Sequence, residues 1–264
     1  MAYAKIVVER DGPLAIVTLN DPLHMNAVDE IMRRDVVAAM NAALDDEGVR
    51  AILVTGAGEA FCAGANLRDM SGEYARGVTP DVGHMLRDGV IPLLVRMTEA
   101  SKPIVAAVNG AAAGVGCGFA LAADIVLVGR SGYFLQSFIR LGVVPDGGSS
   151  WLIPRLAGRG RAAAMMMLGE KIGAETAVAW GLAHRLFEDA ELPSAARAMA
   201  MGLANGPTLA YGKLKHLLAR SVDSSFAEQL ELETACQQAS FETADCREGV
   251  AAFIERRAPR FTGA

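Results

Sequence analysis

The stretch Lys102-Pro-Ile-Val-Ala-Ala-Val-Asn-Gly-Ala-Ala-Ala-Gly-Val-Gly-Cys-Gly-Phe-Ala-Leu-Ala-Ala-Asp-Ile125 decides how the chain is organised. Residues 103–123 carry no charge and are long enough to span a bilayer. Four glycines, an asparagine and many alanines, with few large aliphatic side chains, argue against that reading. Ile104 to Val108 reads instead as a buried strand stopped by Asn109-Gly110. A loop without bulky side chains then feeds a helix that begins near Gly116.

The same alternation extends to both sides. Met1 to Arg10 reads as a strand rather than a signal peptide, because Lys5, Glu9 and Arg10 interrupt its apolar run. Ala15–Leu19, Ala51–Thr55 and Ile125–Val128 are further apolar strands, and Asp29 to Leu44 is an amphipathic helix. Continuous apolar strands between helices imply a sheet buried on both faces, hence an α/β fold. Residues 68–89, with Gly72, Gly77, Thr79-Pro80 and Gly83, read as a mobile surface excursion. Beyond about residue 158 helices dominate: Arg159–Leu168, Ala174–Trp180, Leu192–Ala204, Thr208–Arg220, and Ser224–Arg257 in two pieces. No fixed 20–50-residue period indicates a repeat architecture.

Composition bounds the function. With 264 residues, 52% of them hydrophobic, the chain can bury a large core. A folded monomer of this mass is expected to expose roughly 11,000 Å². The balance of 25 basic against 30 acidic residues, with no basic block, disfavours nucleic acid as a partner. Four cysteines (Cys62, Cys117, Cys236, Cys246) form no C-x-x-C pair and read as reduced thiols of a cytoplasmic protein. Neither a metal site nor a resident cofactor is expected.

Three segments carry candidate chemistry. The four histidines lie in unrelated contexts, none in a nucleophile-elbow or metal spacing. The glycine run 110–118 fails the dinucleotide fingerprint, because Phe119 holds the third glycine position. It does place outward-pointing N–H groups at a helix start, where the dipole favours negative charge. A second exposed-backbone loop, Gly58 to Leu67, could add another donor and form an oxyanion hole. Tight packing of small residues accounts for both loops equally well. Gly142-Val-Val-Pro-Asp-Gly-Gly148 is an ordinary turn sequence, or else a carboxylate held at a loop tip with its pKa raised by apolar neighbours.

Taken together these segments resemble the enoyl-CoA hydratase/isomerase (crotonase) superfamily along essentially the whole chain. The matching pieces are Asn26-Ala27, Ala60 to Leu67, Lys102 to Gly110 continuing to Ile125, and Gly142 to Gly148 followed by Leu152-Ile-Pro-Arg155. Within the superfamily, the segment 144–151 and the tail 244–263 are most like the ring-epoxide isomerases of phenylacetyl-CoA breakdown and Δ3,Δ2-enoyl-CoA isomerases. The resemblance implies a spiral of ββα units over residues 1–190. A C-terminal helical region over 191–264 would serve oligomerisation and cover the active site. It implies an acyl-CoA thioester as substrate, coenzyme A entering as part of it, and a homotrimer or dimer of trimers.

Carried over by position, the backbone N–H groups of Ala65 and Val115 form the oxyanion hole. Asn26, Ala27, Ala63, Gly64, Asn66, Leu67 and Gly114 lie along the substrate and CoA path. Phe253 and Arg256 match positions that contact the nucleotide end. Family hydratases use two glutamates, and Gly118 and Phe138 stand at those places. Neither can transfer a proton, which disfavours ordinary hydration of a 2-enoyl-CoA. Asp146 matches the single acidic residue of the isomerase subgroup, and one carboxylate suffices for a 1,3-proton shift. Phe138 would be a wall of the acyl pocket. The alternatives are a hydratase in which Glu59 or Glu73 reaches the site, and a non-catalytic acyl-CoA-binding relative. A protease of the ClpP type lacks a matching serine–histidine pair.

Overall fold

The computed structural model describes residues 3–264. Its elements, in chain order, are β1 (Ile6–Asp11), β2 (Leu14–Leu19), α1 (Glu30–Asp45), β3 (Ala51–Gly56), β4 (Ala60–Cys62), α2 (Leu67–Ala75), α3 (Val82–Met85) and α4 (Ile91–Glu99). Then follow β5 (Ile104–Val108), β6 (Ala111–Ala113), α5 (Val115–Leu121), β7 (Ile125–Gly129), β8 (Tyr133–Leu135), α6 (Ser149–Ala157), α7 (Arg159–Leu168) and β9 (Lys171–Gly173). The chain closes with α8 (Ala174–Trp180), β10 (Arg185–Phe187), α9 (Leu192–Ala204), α10 (Thr208–Arg220), α11 (Phe226–Phe241) and α12 (Ala244–Glu255). The strand expected over residues 1–10 is β1; Met1 and Ala2 lie outside the described residues.

Two sheets share the strands. The larger runs β1-β2-β3-β5-β7-β10, parallel throughout except for the β1–β2 hairpin. The smaller runs β4-β6-β8-β9, with β9 antiparallel. Each of β3, β5 and β7 hands the chain within a few residues to β4, β6 or β8, and a helix follows. The result is the expected spiral of ββα units. Residues 103–123, long enough to span a bilayer by count alone, are thus two strands and a short helix. Among the described residues no helix is long and apolar enough to cross a membrane.

Period-two alternation divides the large sheet between two cores. Val17, Ile52, Val54, Ile104, Ala106 and Val128 face α1, α4 and α5. Leu14, Ile16, Leu53, Val105, Ala107 and Leu127 face α9. That helix presents Leu192, Ala196, Ala200 and Ala204, a four-residue stripe whose small side chains let it lie close to the sheet. The helical region from residue 191 is therefore not separate from the sheet at its start, since α9 supplies the cover for the second face. Further along, α11 buries no residue, and Phe226, Phe253 and Ile254 are 80%, 85% and 74% exposed. The accessible surface is 13720 Å², above the expectation from mass.

Two expectations change. Residues 68–89 are largely helical, with α2, α3 and a π-turn at Leu86–Val90, because Asn66 and Asp81 side chains cap helix starts inside the glycine-rich segment. Ala111–Ala113 is a strand rather than a loop, held by parallel pairing to β4 and β8.

Candidate active site

A cavity of about 420 Å³ opens between α1, the α2–α3 segment and the start of α5. Ala65, Asn66, Val115 and Asp146 all line it, together with Val28 and Val90. Residues from three distant parts of the chain are thereby brought to one space.

The β3–β4 turn and strand β4, which lead into the β4–α2 loop, are tied down by Asn26. Asn26 is wholly buried in the left-handed region, at φ 55°, a conformation that asparagine tolerates better than most residues. Its Nδ2 donates to the carbonyls of Ala57, Ala60 and Phe61 at 3.0, 2.8 and 3.2 Å, and its Oδ1 accepts from Asp21 N–H. The side chain placed by resemblance on the ligand path is thus spent on the main chain of the β3–β4 turn and β4. Replacing Asn26 with alanine will destabilise the fold by about 2–4 kcal/mol, because buried carbonyls lose their donor and alanine resists positive φ. Thermal unfolding checks this, and an unchanged Tm would refute the anchoring role.

From that anchor a parallel bridge continues the loop. Val28 N–H donates to Gly64 O, and Asn66 N–H donates to Val28 O. The Ala65 N–H between them has no acceptor among the described residues. Ala27 and Ala63 are half-buried beside this bridge, and Leu67, half-exposed, opens α2. Asn66 caps α2 by accepting from Arg68 N–H.

The second donor stands at the start of α5. Gly64 and Gly114 both have positive φ, 92° and 53°, and a Cβ on Gly64 would stand 2.9 Å from Ala113 O and 3.6 Å from Gly114 Cα. Two glycines in this contact let the loops touch backbone to backbone. The peptides that follow each glycine carry the Ala65 and Val115 N–H groups, and Val115 N–H also lacks an acceptor among the described residues.

Asp146 arrives on a loop folded against α5. Gly147 and Gly148, with φ 58° and 77°, turn the chain sharply after it. Gly147 lies on Val115, and a Cβ added to Gly118 would stand 1.9 Å from Gly147 O. The carboxylate Oδ1 is buried and has no hydrogen-bond partner. Burial pushes its pKa up to about 6. Cys62, on the apolar side of this region, is a buried thiol pushed up to about 11 and has no nucleophilic character. No cluster of three or more potential metal ligands occurs among the described residues.

The structure separates other expected partners. Phe138 lies against Gly114, behind the peptide that presents Val115 N–H, while Val28, Val90 and the α2–α3 segment line the cavity itself. Phe253 lines a different cavity, formed by the tail and α10–α12, and Arg256 follows at the end of α12. Of the two alternative glutamates, Glu59 lines a groove on the α9 side of the sheet, whereas Glu73 reaches the same cavity as Asp146. Sequence reasoning missed Gln136 and Ser149, both wholly buried; a polar residue closing the apolar run Tyr133–Leu135 was the available signal.

A ββα spiral with two free main-chain donors and one desolvated carboxylate on one cavity defines an enzyme class that handles a carbonyl oxygen gaining negative charge. The sequence model of the Enoyl-CoA hydratase/isomerase family matches residues 9–264, and the chain belongs to that family, whose members act on acyl-CoA thioesters. It is 38% identical to the 1,2-epoxyphenylacetyl-CoA isomerase of Escherichia coli over 93% of this chain and 94% of that one. It is 41% identical to a Rhodobacter capsulatus protein named "Probable enoyl-CoA hydratase", over 100% of both chains. The crystal structure of an enoyl-CoA hydratase from Polaromonas sp. JS666 superposes with a TM-score of 0.90 at 31% identity, covering 97% of this chain and 99% of that one.

Proposed function

We propose that this enzyme is an acyl-CoA isomerase that shifts a double bond or rearranges an epoxide-bearing ring through a thioester enolate. The thioester oxygen would accept from Ala65 N–H and Val115 N–H. Asp146 would remove a proton from one carbon and return it two carbons away. The observation that carries this reading is the solitary, unpartnered carboxylate of Asp146 on the cavity those donors share. At the positions that resemblance gives to hydratase glutamates stand Gly118 and Phe138, which hold no proton to transfer. The likeness to the Escherichia coli isomerase supports the same choice.

Asp146 must be ionised to act as a base, so activity should follow its titration. With a pKa of about 6, kcat/KM is expected to be half-maximal near that pH, to fall ~10-fold per pH unit below it and to level off above it. A pH–rate profile checks this. A limb lying instead near pH 4 would assign the proton transfer elsewhere.

One observation favours a second reading, hydration of a 2-enoyl-CoA, because Glu73 shares the cavity. A panel of 2-enoyl-CoA, 3-enoyl-CoA and an epoxidised aryl-acetyl-CoA separates the two. The isomerase reading expects turnover of one or both of the latter and little hydration. Rapid hydration of crotonyl-CoA that is lost in Glu73→Gln would overturn it. Stabilisation by acyl-CoA without turnover of any member would instead make the chain a binding protein.

The proposal extends to assembly as a homotrimer or dimer of trimers. The support is the exposed apolar surface of α11 and α12, including Phe226, Phe253 and Ile254. Phe253 and Arg256, remote from the cavity of their own chain, would then serve the nucleotide end of coenzyme A in a neighbouring subunit, with the guanidinium pairing to phosphate.

A further inference from the structure

We infer that Gln136 is a positioning residue, joining the peptide that presents Val115 N–H to the loop that presents Asp146. The inference rests on the roles proposed above for those two groups. Gln136 follows β8 directly and is wholly buried. Its Nε2 donates to Ser149 Oγ at 2.9 Å and reaches Gly114 O at 3.5 Å. Its Oε1 is buried with no partner.

Each end of this bridge touches half of the site. Gly114 C=O and Val115 N–H belong to one peptide. Gly114 O also accepts from Cys117 N–H and Gly118 N–H, at 3.1 and 3.3 Å, and Gly114 N–H donates to Leu135 O at 2.9 Å. Gly114 is therefore held on both sides by consecutive residues, Leu135 at its N–H and Gln136 at its carbonyl. Donors converging on a carbonyl polarise its peptide and make the attached N–H a stronger donor. At the other end, Ser149 is wholly buried, three residues after Asp146, and its N–H donates to Asp146 O at 3.1 Å. The serine hydroxyl and main chain thus fasten the base loop to the carboxamide that touches the donor peptide.

A buried carboxamide with an orphaned acceptor is a costly core residue, and here only the contacts of its Nε2 offset that cost. What the carboxamide supplies is a rigid link between the place where charge gathers and the place where the proton leaves. Hydrogen bonds that are long before substrate binds commonly shorten in the loaded site, and the 3.5 Å Gly114 contact is expected to do so.

The test uses the full chain as Gln136→Met and Ser149→Ala. The readouts are isomerase kinetics, Tm, and the absorption of bound para-dimethylamino-cinnamoyl-CoA, whose red shift reports polarisation of the thioester carbonyl. Gln136→Met is expected to lower kcat about 10-fold with KM within twofold, and to reduce the red shift. Ser149→Ala is expected to keep the red shift while lowering kcat and moving the acid limb of the pH profile. A folded Gln136→Met protein with wild-type kcat and red shift would overturn the link. Should that variant fail to fold, a Ser149→Ala protein with wild-type kcat and pH limb would overturn it alone. Failure of the underlying reading looks different: the wild-type protein itself would bind the chromophore without a red shift.

Discussion

Replacing Asp146 with asparagine will lower turnover of a 3-enoyl-CoA by about 10³-fold while leaving KM nearly unchanged. The amide keeps the shape and volume of the side chain but cannot accept and return a proton. On the proposed mechanism, binding depends on the N–H groups of Ala65 and Val115 and on the cavity walls, which the substitution leaves alone. The same variant will be more stable than the wild type above neutral pH. Burial raises the Asp146 pKa from 3.8 to about 6, so the folded state favours the protonated acid. That contribution is fully present below pH 3.8 and is lost as pH rises through about 6, where the folded protein comes to hold a desolvated charge without a partner. Asparagine carries no such charge. Allowing for screening on the open side of the carboxylate, the gain at pH 8 is about 1–2 kcal/mol, and it disappears by pH 4. Slower chemistry with higher stability is the signature of a functional acid held in an unfavourable place. Kinetics and thermal unfolding of the same preparation check both halves. Full activity in this variant would remove Asp146 from the mechanism, and unchanged stability at pH 8 would show that its charge is solvated.

In the large sheet β2, β3, β5 and β7 were legible because they are five- or six-residue runs rich in Val, Ile, Leu and Ala and stopped by Gly or Asn, as in Ile104–Val108 before Asn109-Gly110. The three-residue β10 showed no such run. α7 to α10 were legible to the residue, since Gly158, Gly169, Gly181 and Gly206-Pro207 punctuate them. The smaller sheet was not. β4, β6, β8 and β9 have three residues each, too few to show a period, and Ala111-Ala-Ala113 favours helix by local propensity. Only pairing with strands some fifty residues earlier and twenty later makes it extended. At the site, the glycine loops and Asp146 stood out as sequence, but what their glycines are for did not. The close approach of Gly64 to Gly114, and of Gly118 to Gly147, joins residues far apart in the chain and is decided by packing. The role of Asn26 was misjudged for the same reason. Resemblance alone had placed it on the ligand path, whereas its buried side chain is turned toward three carbonyls of its own fold.

Adding a side chain at Gly118 will disable the enzyme rather than convert it. A Cβ there would stand 1.9 Å from Gly147 O and 2.8 Å from the Gly147 carbonyl carbon, and both obstacles are main chain. Gly118→Ala must therefore push the Asp146 loop away from α5. Displacing a catalytic group by about 1 Å commonly costs ~10²-fold in rate, and overpacking a tight contact costs about 1–3 kcal/mol in stability. kcat/KM is expected to fall by at least ~10²-fold in a protein that still binds acyl-CoA. The more telling variant is Gly118→Glu combined with Phe138→Glu, which restores acids at both positions that resemblance assigns to hydratases. It is expected to gain no hydration of crotonyl-CoA and to lose isomerisation, because Gly147 fills the space the first glutamate needs. Hydration at enzymatic rates in the double variant would show that the loop yields and that the two chemistries differ only in their acids. If it stays inactive, the loss of the acid at 118 and the use of Asp146 are one structural fact. The loop can lie against α5 only where the helix has no Cβ, so a site that takes its base from this loop cannot keep a glutamate beneath it. One carboxylate then has to remove the proton and put it back, and a proton shift is the chemistry a single carboxylate can complete.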